Sequence, residues 1–436
     1  MEDFKRVSGT RDFFGSSLQQ RQALTHIISE VYENYGYECL ETPAFEYVSL
    51  LKNVYGHENE KLLYRILNSG KDFGYIKQTA CIEDISDKCL RYDLTLPLVR
   101  YIIENKNNII FPYKRWQLQP VWRGDRPQKG RFREFYQCDV DIVGEKSLLA
   151  EVEMIQIAID VLNRLKIKDY TIHINHRGIL LCLTQLLGIQ DRFLDFCRCI
   201  DKIDKCGLDE FFSQHLPVFN IAPNKVQALK NLLYCDASNE EKIQMIQEIF
   251  EKNKISLEAI LELNHILDYI KMFNINTDKI KVDYSLSRGL DYYTGMIFEI
   301  TVDNIQLGSI AGGGRYDFFS DKLHVPELKC VGFSFGIDRL LVAIDELGIK
   351  LIQNTRKRIL FANDNDDFDQ NIIRLLRKKY TVEIFFDKNV DFKHQLKFAN
   401  KKNFDKVVFK YDNKYFIKDM STSVQKELSL EDLNNL

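Results

Sequence analysis

Residues 287–295 read Ser-Arg-Gly-Leu-Asp-Tyr-Tyr-Thr-Gly and join two predicted strands, 282–286 and 296–302. Glycine lets a backbone approach a ligand closely, and arginine is a permanent cation whose planar donors suit a phosphate or a carboxylate. Tyrosine adds an apolar ring with a polar tip. The stretch therefore predicts a pocket for a small polar molecule beside a phosphate. A glycine-rich turn with buried tyrosines is the alternative.

Upstream, the sequence predicts a hairpin. Residues 116–123 and 132–143 have the composition of strands. The segment between them, Gly124-Asp125-Arg126-Pro127-Gln128-Lys129-Gly130-Arg131, is polar, basic and rich in turn-forming residues. A loop held by a rigid hairpin is a good position for binding or catalytic residues.

The remaining patterns predict mixed helices and strands. Helices are expected at 18–35 and 147–166, and a short strand closed by Pro43 follows the first of them. From 188 to 275 the segments are helix-like and rich in Leu, Ile, Lys and Glu, which indicates an inserted helical subdomain.

Downstream of residue 296, the sequence predicts a second glycine-rich turn at 310–317. Residues 331–339 predict a strand that runs into a helix. A linker near 348–356 leads to a final unit. Its strands and helices alternate, which indicates a small α/β domain.

Composition is that of an ordinary globular protein, with 45% hydrophobic and 28% charged residues. A chain of 436 residues predicts two or three domains. No apolar run approaches the length of a membrane span, and the first residues lack the apolar core of a secretory signal, so we expect a cytoplasmic protein.

Charge is uneven along the chain. The net charge is −3, but residues 356–436 hold 17 Lys and Arg against 13 Asp and Glu. A basic terminal module on an acidic body suits an RNA partner, and a solvated lysine-rich surface is an equally good interpretation of charge alone.

Ten cysteines are scattered, and Cys197, Cys199 and Cys206 cluster with His215 nearby. A zinc site is typically built from paired Cys-x-x-Cys segments, which this cluster lacks. We therefore expect reduced thiols here, with no metal held by assignable protein side chains.

The run Arg288-Gly289-Leu290-Asp291-Tyr292-Tyr293-Thr294-Gly295 is similar to the signature of the histidyl-tRNA synthetases, where it lines the histidine pocket. The hairpin and the segment around Arg339 resemble shared motifs of the class II aminoacyl-tRNA synthetases. The resemblance implies an α+β fold: an antiparallel sheet flanked by helices, a helical insertion and a C-terminal α/β anticodon-binding domain. It divides the chain into catalytic core residues 1–187 (motifs 1 and 2), a helical insertion at 188–275, core residues 276–348 (the histidine signature and motif 3), and an anticodon-binding domain at 357–436. Helix 18–35 and the strand ending at Pro43 resemble the first shared motif, which implies a homodimer.

For ATP, the resemblance implies that Arg123 contacts the α-phosphate, Arg339 holds the γ-phosphate, and Arg288 lies near the α-phosphate and the substrate carboxylate. Fixed cations and Mg²⁺ suit this chemistry, because negative charge builds on the phosphoryl oxygens as two anions meet. The resemblance further implies a stacking role on adenine for Phe135, a contact near the adenine amino group for Asp125, and a position near the γ-phosphate for Arg131.

For histidine, the resemblance implies amino-group contacts and imidazole contacts. An ammonium group suits carboxylate and amide oxygens. The implied amino-group residues are Asp93, Thr95, Gln137 and Asp141, and the tyrosines of the pocket are Tyr292, Tyr293 and Tyr316. The hairpin-loop residues Arg126, Gln128 and Lys129 resemble those that read the acceptor end of histidine tRNA.

The implied function is that of a histidine–tRNA ligase. It would join histidine to ATP as histidyl-adenylate, release pyrophosphate, and transfer histidine to the 3′-terminal adenosine of histidine tRNA.

The main alternative is a paralogue that serves as the regulatory subunit of ATP phosphoribosyltransferase, binding histidine without charging tRNA. That paralogue typically lacks the C-terminal domain and ATP-contacting arginines, and this sequence keeps both. An RNA-binding module with a decayed catalytic core is a further alternative, against which Arg123, Arg288 and Arg339 argue. A generic nucleotide-binding enzyme is excluded, because no phosphate-binding glycine fingerprint follows a strand.

Overall fold

The computed structural model describes residues 4–51, 61–68, 85–289, 292–317, 328–352, 356–363 and 369–428. The chain forms two compact units, Met1–Leu351 and Ile352–Leu436. Leu290 and Asp291 of the histidine signature lie outside the described residues.

The first unit contains eleven described strands. They are β1 (Glu38–Cys39), β2 (Phe45–Tyr47), β3 (Arg65–Ile66), β4 (Lys88–Leu90), β5 (Tyr113–Trp122), β6 (Glu134–Val143), β7 (Tyr170–His176), β8 (Ile280–Val282), β9 (Met296–Val302), β10 (Ala311–Arg315) and β11 (Cys330–Gly336). Eight of them form one sheet in the order β1-β5-β6-β11-β10-β9-β7-β8, and β2-β4-β3 form a small separate sheet. The large sheet is antiparallel except at its two outer pairs, β1 with β5 and β7 with β8.

Helices cover this unit's core. They are α1 (Gly15–Asn34), α2 (Thr95–Asn105), α3 (Leu149–Arg164), α4 (Arg177–Leu187), α5 (Phe193–Ile200), α6 (Ile203–Glu210), α7 (Pro223–Leu233), α8 (Asn239–Lys252), α9 (Glu258–Met272) and α10 (Ile337–Glu346). Helices α4 to α9 lie between β7 and β8 in the chain. Helix α3 has an apolar stripe with members such as Ile155 and Leu162, which are fully buried because helical spacing places them on one face.

The second unit is a small mixed sheet with two described helices. Its elements are β12 (Arg358–Phe361), α11 (Gln370–Lys379), β13 (Thr381–Ile384), α12 (Phe392–Lys401), β14 (Lys406–Tyr411), β15 (Lys414–Asp419) and β16 (Gln425–Glu427). The strand order is β13-β12-β14-β15-β16, with β13, β12 and β14 parallel and the last two strands antiparallel. Within the described part of the chain, every helix is too short or too polar to cross a membrane.

The predicted α+β fold class is confirmed, and two local predictions are wrong. The predicted strand 282–286 ends at Val282, because the Asp283 carboxylate accepts the backbone N–H of Ser285 at 2.9 Å and closes a turn. The predicted glycine-rich turn at 310–317 contains the strand β10. Its backbone pairs with β9 on one side and β11 on the other, and these distant partners decide its structure.

Candidate active site

One cavity of about 660 Å³ opens on the large sheet of the first unit. Strands β6, β9, β10 and β11 contribute to its lining, together with the hairpin loop and residues at the start of α2. It brings together every residue that the sequence analysis assigned to ATP or histidine. These are Asp93, Thr95, Arg123, Asp125, Arg131, Phe135, Gln137, Asp141, Arg288, Tyr292, Tyr293, Tyr316 and Arg339. The three residues assigned to the tRNA acceptor end, Arg126, Gln128 and Lys129, lie on the hairpin loop and are not part of this lining.

Four arginines line the cavity. Arg123 donates from Nε to the carbonyl of Tyr92 at 3.1 Å, and its guanidinium lies 5.2 Å from the Phe135 ring centre. Arg339 donates from Nη1 to the carbonyl of Ser309 at 2.7 Å. Burial and the neighbouring positive charge of Arg131 lower the pKa of Arg339. A group of cations that repel one another suits a ligand with several negative charges.

Arg288 is the fourth arginine and has an unusual backbone. Its φ of +62° lies in the left-handed region, which costs a non-glycine residue about 1–3 kcal/mol. The preceding residue is anchored, since Ser287 Oγ donates to the carbonyl of Cys197 at 2.8 Å. The Arg288 guanidinium pairs with Glu299 on β9. Burial opposes its charge, but Tyr293 and Glu299 outweigh burial and raise the pKa of Arg288.

Gly312 makes room for that guanidinium. It lies on β10 opposite Glu299, and a Cβ atom there would come within 2.9 Å of Arg288 Cζ and closer still to Nη1. Only glycine leaves this space open. The side chain of Arg288 is thus held by Glu299 and by the bare backbone of β10.

Strand β6 supplies the acidic part of the site. Gln137, Asp139 and Asp141 alternate with Cys138 and Val140, so the three polar side chains share the cavity face while the other two enter the core. Asp139 and Asp141 are 4% and 3% exposed. The hairpin register fixes this arrangement along the whole strand.

Arg115 on β5 is the buried counter-charge. It is 0% exposed and lies opposite Asp141 in the hairpin, with its Nη2 2.8 Å from Asp141 Oδ2 and 4.0 Å from Asp139 Oδ2. Burial raises the pKa of both aspartates, with Arg115 opposing the shift; the pKa of Asp139 rises to about 7. Sequence reasoning did not find Arg115 or Asp139: Arg115 lies outside the predicted strand 116–123, and only the observed β5–β6 register places it opposite Asp141.

Two further residues, Tyr316 and Gly332, lie against Asp141. Tyr316 donates its hydroxyl to Asp141 Oδ1. Gly332 lies opposite Asp141 on β11, and a Cβ there would come within 2.5 Å of Asp141 Cγ. Asp93 Oδ1 accepts the backbone N–H groups of Thr95 at 3.2 Å and Leu96 at 3.3 Å, which holds the start of α2 against the cavity.

Helices inserted between β7 and β8 also reach the cavity. Asp201, Asp204 and Lys205 line it, and the sequence analysis did not assign them to the site. Burial and the nearby Glu299 raise the pKa of Asp201 and of Asp204. Their position depends on how α5 and α6 pack on the sheet, so no local pattern predicts it.

The cysteine cluster of the insertion is separate from the cavity lining. Cys197 and Cys199 are buried. Cys206, Glu210 and His215 have potential ligand atoms within 4.8 Å of one another, with Glu210 exposed. His215 was part of the predicted thiol-rich cluster, whereas Glu210 was not.

The family model for histidyl-tRNA synthetase matches residues 9–340. A histidine–tRNA ligase of Christiangramia forsetii is 36% identical over 449 residues, covering 98% of this chain and 97% of the relative. One from Azobacteroides pseudotrichonymphae is 37% identical and covers 100% and 98%.

Solved structures agree in fold. The histidyl-tRNA synthetase of Nostoc sp. PCC 7120 has a TM-score of 0.77 at 26% identity and covers 99% of this chain and 98% of its own. A Bacillus halodurans structure described as an ATP phosphoribosyltransferase regulatory subunit/histidyl-tRNA synthetase has a TM-score of 0.72 at 23% identity, over 93% and 98%, and shows the fold alone. The predicted class II synthetase fold is confirmed, and the chain belongs to the histidyl-tRNA synthetase family.

Proposed function

We propose that this chain is a histidine–tRNA ligase. In the first step the histidine carboxylate attacks the α-phosphorus of ATP, the bond to the β-phosphate breaks, and histidyl-adenylate and pyrophosphate form. In the second step a hydroxyl of the 3′-terminal adenosine of histidine tRNA attacks the acyl carbon, and AMP leaves. The observation that carries the proposal is a single cavity that combines four arginines with buried aspartates from β6.

The arginines suit the triphosphate and the developing negative charge. In this proposal Arg123 and Arg288 act on the α-phosphate, and Arg131 and Arg339 act on the γ-phosphate. Fixed cations stabilise charge without reorganising during the reaction, which is where enzymes gain most of their rate. Phe135 offers a ring to adenine, and Asp125, whose carboxylate lies 3.6 Å from Arg131 Nε, is the candidate for the adenine amino group.

The donor set also fits Mg²⁺. Three carboxylates, those of Asp201, Asp204 and Glu299, line the same cavity as the arginines, and Mg²⁺ in nucleotide sites is held by one or two carboxylates together with phosphate oxygens. Bound there, the ion would neutralise phosphate charge. Glu299 has a second role in the proposal, because it orients Arg288.

The part of the cavity that is proposed to bind histidine is lined by polar groups, which an apolar amino acid would leave without hydrogen-bond partners. Asp93, Thr95 and Gln137 are proposed to hold the ammonium group, and Asp141 takes part in this acidic pocket while bonded to Tyr316. Tyr292, Tyr293 and Tyr316 surround the imidazole. Buried groups left without partners reject close analogues by large factors, which supports selectivity for histidine.

Two regions of the chain are proposed to bind tRNA. Arg126, Gln128 and Lys129 extend on the hairpin loop toward the acceptor end. The second unit, with its excess of basic residues in 356–436, is the proposed anticodon-binding domain. We further propose a homodimer formed around helix 18–35 and the strand ending at Pro43, acting in the cytoplasm where ATP and tRNA are found.

The regulatory-subunit paralogue is the second candidate, since the Bacillus halodurans structure shares the fold. The four cavity arginines and the second unit favour the ligase.

Charging of histidine onto histidine tRNA by the purified chain tests the proposal, with Arg288→Ala as its control. We expect charging by the native protein and adenylate formation lowered about 10²–10³-fold in the variant, the usual effect of removing one transition-state stabiliser. Histidine binding without any charging would favour the paralogue.

A further inference from the structure

Asp139 is a buried acid of the cavity to which the proposed function assigns no role. It lies on β6 between Gln137 and Asp141, on the face that lines the cavity, and opposite Ser334 of β11. It is 4% exposed. A carboxylate is rarely buried to this extent without a partner that satisfies it.

Ser334 of β11 hydrogen-bonds to the Asp139 carboxylate and opposes the rise in its pKa, but the described protein atoms leave one oxygen of this carboxylate unsatisfied. Arg115 favours Asp141, since its Nη2 is 2.8 Å from Asp141 Oδ2 but 4.0 Å from Asp139 Oδ2. Among the residues that the structure describes, Asp139 Oδ1 is buried without a hydrogen-bond partner. The amide oxygen of Gln137, two residues away on the same face, also lacks a hydrogen-bond partner within the described part of the chain, as does Asp141 Oδ2, whose contact with Arg115 is an ion pair.

Two neighbouring acceptors call for one ligand group with several donors. Side chains two residues apart on a strand are roughly 6.5–7 Å apart at Cα. One nitrogen that donates at about 2.9 Å to each of two oxygens can join oxygens up to about 5.8 Å apart, which two side chains that extend from one face of the strand can provide. Ammonium offers three N–H donors, whereas a neutral imidazole offers only one. The chemistry of the pair therefore selects the ammonium group of the substrate over its ring.

We infer that Asp139 binds the α-ammonium group of the substrate amino acid, its Oδ1 and the Gln137 amide oxygen each accepting one N–H. This inference rests on the proposed function and deepens it, because it adds a histidine-binding residue that the sequence resemblance does not assign. The ammonium then faces the carboxylates of Asp93 and Asp139, while Asp141 stays paired with Arg115 and Tyr316.

The charges around Asp139 predict a proton exchange on binding. The titratable groups that interact with it are Arg115 of β5, Asp141 and Cys138 of β6, Asp93 before α2 and Tyr32 of α1. Burial raises the pKa of Asp139 to about 7, with Arg115 opposing and Asp141 adding to the shift. An arriving ammonium favours the ionised carboxylate, so histidine binding near pH 7 releases part of a proton from this group.

The test compares two ligands on the full-length protein by titration calorimetry without ATP. One ligand is L-histidine, and the other is 3-(imidazol-4-yl)propionate, which lacks only the amino group. Asp139→Asn removes the charge at nearly constant shape, and Asp169→Asn makes the same change at an exposed residue that does not line the cavity. We expect Asp139→Asn to weaken histidine about tenfold, because hydrogen bonds to charged groups are stronger than neutral ones. The analogue should change by less than about twofold, and Asp169→Asn should bind both ligands as the native protein does.

Three results would overturn the inference. The first is that Asp139→Asn binds histidine with native affinity, and the second is that the variant loses affinity equally for both ligands. If the variant does not fold, the native protein is titrated with each ligand in two buffers, and equal proton release with both ligands is the third. Greater proton release with histidine than with the analogue supports it even without the variant. Failure of the native protein to bind histidine at all would instead overturn the proposed function.

Discussion

Replacing Gly312 with alanine should disable the site through Arg288. A Cβ atom at this position would lie 2.9 Å from Arg288 Cζ, whereas carbon contacts are comfortable at about 3.5–4.0 Å. The guanidinium must therefore move by roughly 0.6–1 Å. A misplacement of about 1 Å can cost a factor of about 10² in rate, or about 2.7 kcal/mol of transition-state stabilisation. We expect Gly312→Ala to lower the rate of histidyl-adenylate formation about 100-fold.

The assay is single-turnover formation of adenylate at saturating ATP and histidine. Gly308→Ala is the matched control, since its added carbon would lie 3.3 Å from Arg339 Nη1, a less severe contact than the one at residue 312. That variant should lose less than about tenfold, because the side chain can shift by a few tenths of an ångström. Thermal unfolding measures any separate effect on the sheet, because the new methyl group at residue 312 would also lie 3.0 Å from the carbonyl of Phe298.

A double-mutant cycle isolates the mechanism. If the methyl group acts by displacing Arg288, adding Gly312→Ala to Arg288→Ala costs little further activity. A native rate in Gly312→Ala, or a second 100-fold loss in the double variant, would refute the reasoning.

Three further outcomes follow from the same structure. Removal of residues 357–436 should weaken tRNA charging far more than adenylate formation, because the second unit is compact by itself; equal loss in both assays would mark it as structural. Lys129→Ala removes an exposed cation that pairs with Glu346 and should raise the KM for tRNA severalfold while pyrophosphate exchange stays native; a change in exchange would place Lys129 in the ATP site. The KM for histidine should fall as pH rises from about 6 to 8, since the Asp139 carboxyl, with its pKa raised to about 7, ionises over this range and the ionised form attracts the ammonium. Asp139→Asn should flatten this profile, and an unchanged profile in the variant would exclude Asp139 as its source.

The sequence predicted what local patterns control. Turn-forming residues between two strand-like segments located the β5–β6 hairpin, and helical spacing located α1 and α3 to within a few residues. The cavity residues named from the histidine signature and the shared motifs all line one cavity, although their individual roles stay predictions.

What the sequence missed depends on distant partners. Glycines 312–314 indicated a turn, yet pairing with β9 and β11 makes this segment a central strand. The role of Arg115 could be identified only from the observed strand register, which places it opposite Asp141. Asp201 and Asp204 reach the cavity because α5 and α6 pack against the sheet, and no periodicity in one segment encodes that packing.

The central claim is that this cavity activates histidine with ATP. Amino-acid-dependent exchange of pyrophosphate into ATP, run with each of the twenty amino acids, tests it most directly. The arrangement of four arginines and the acidic pocket on β6 predicts exchange with histidine alone. A folded protein that binds histidine but supports no exchange with any amino acid would contradict the account and favour a regulatory role.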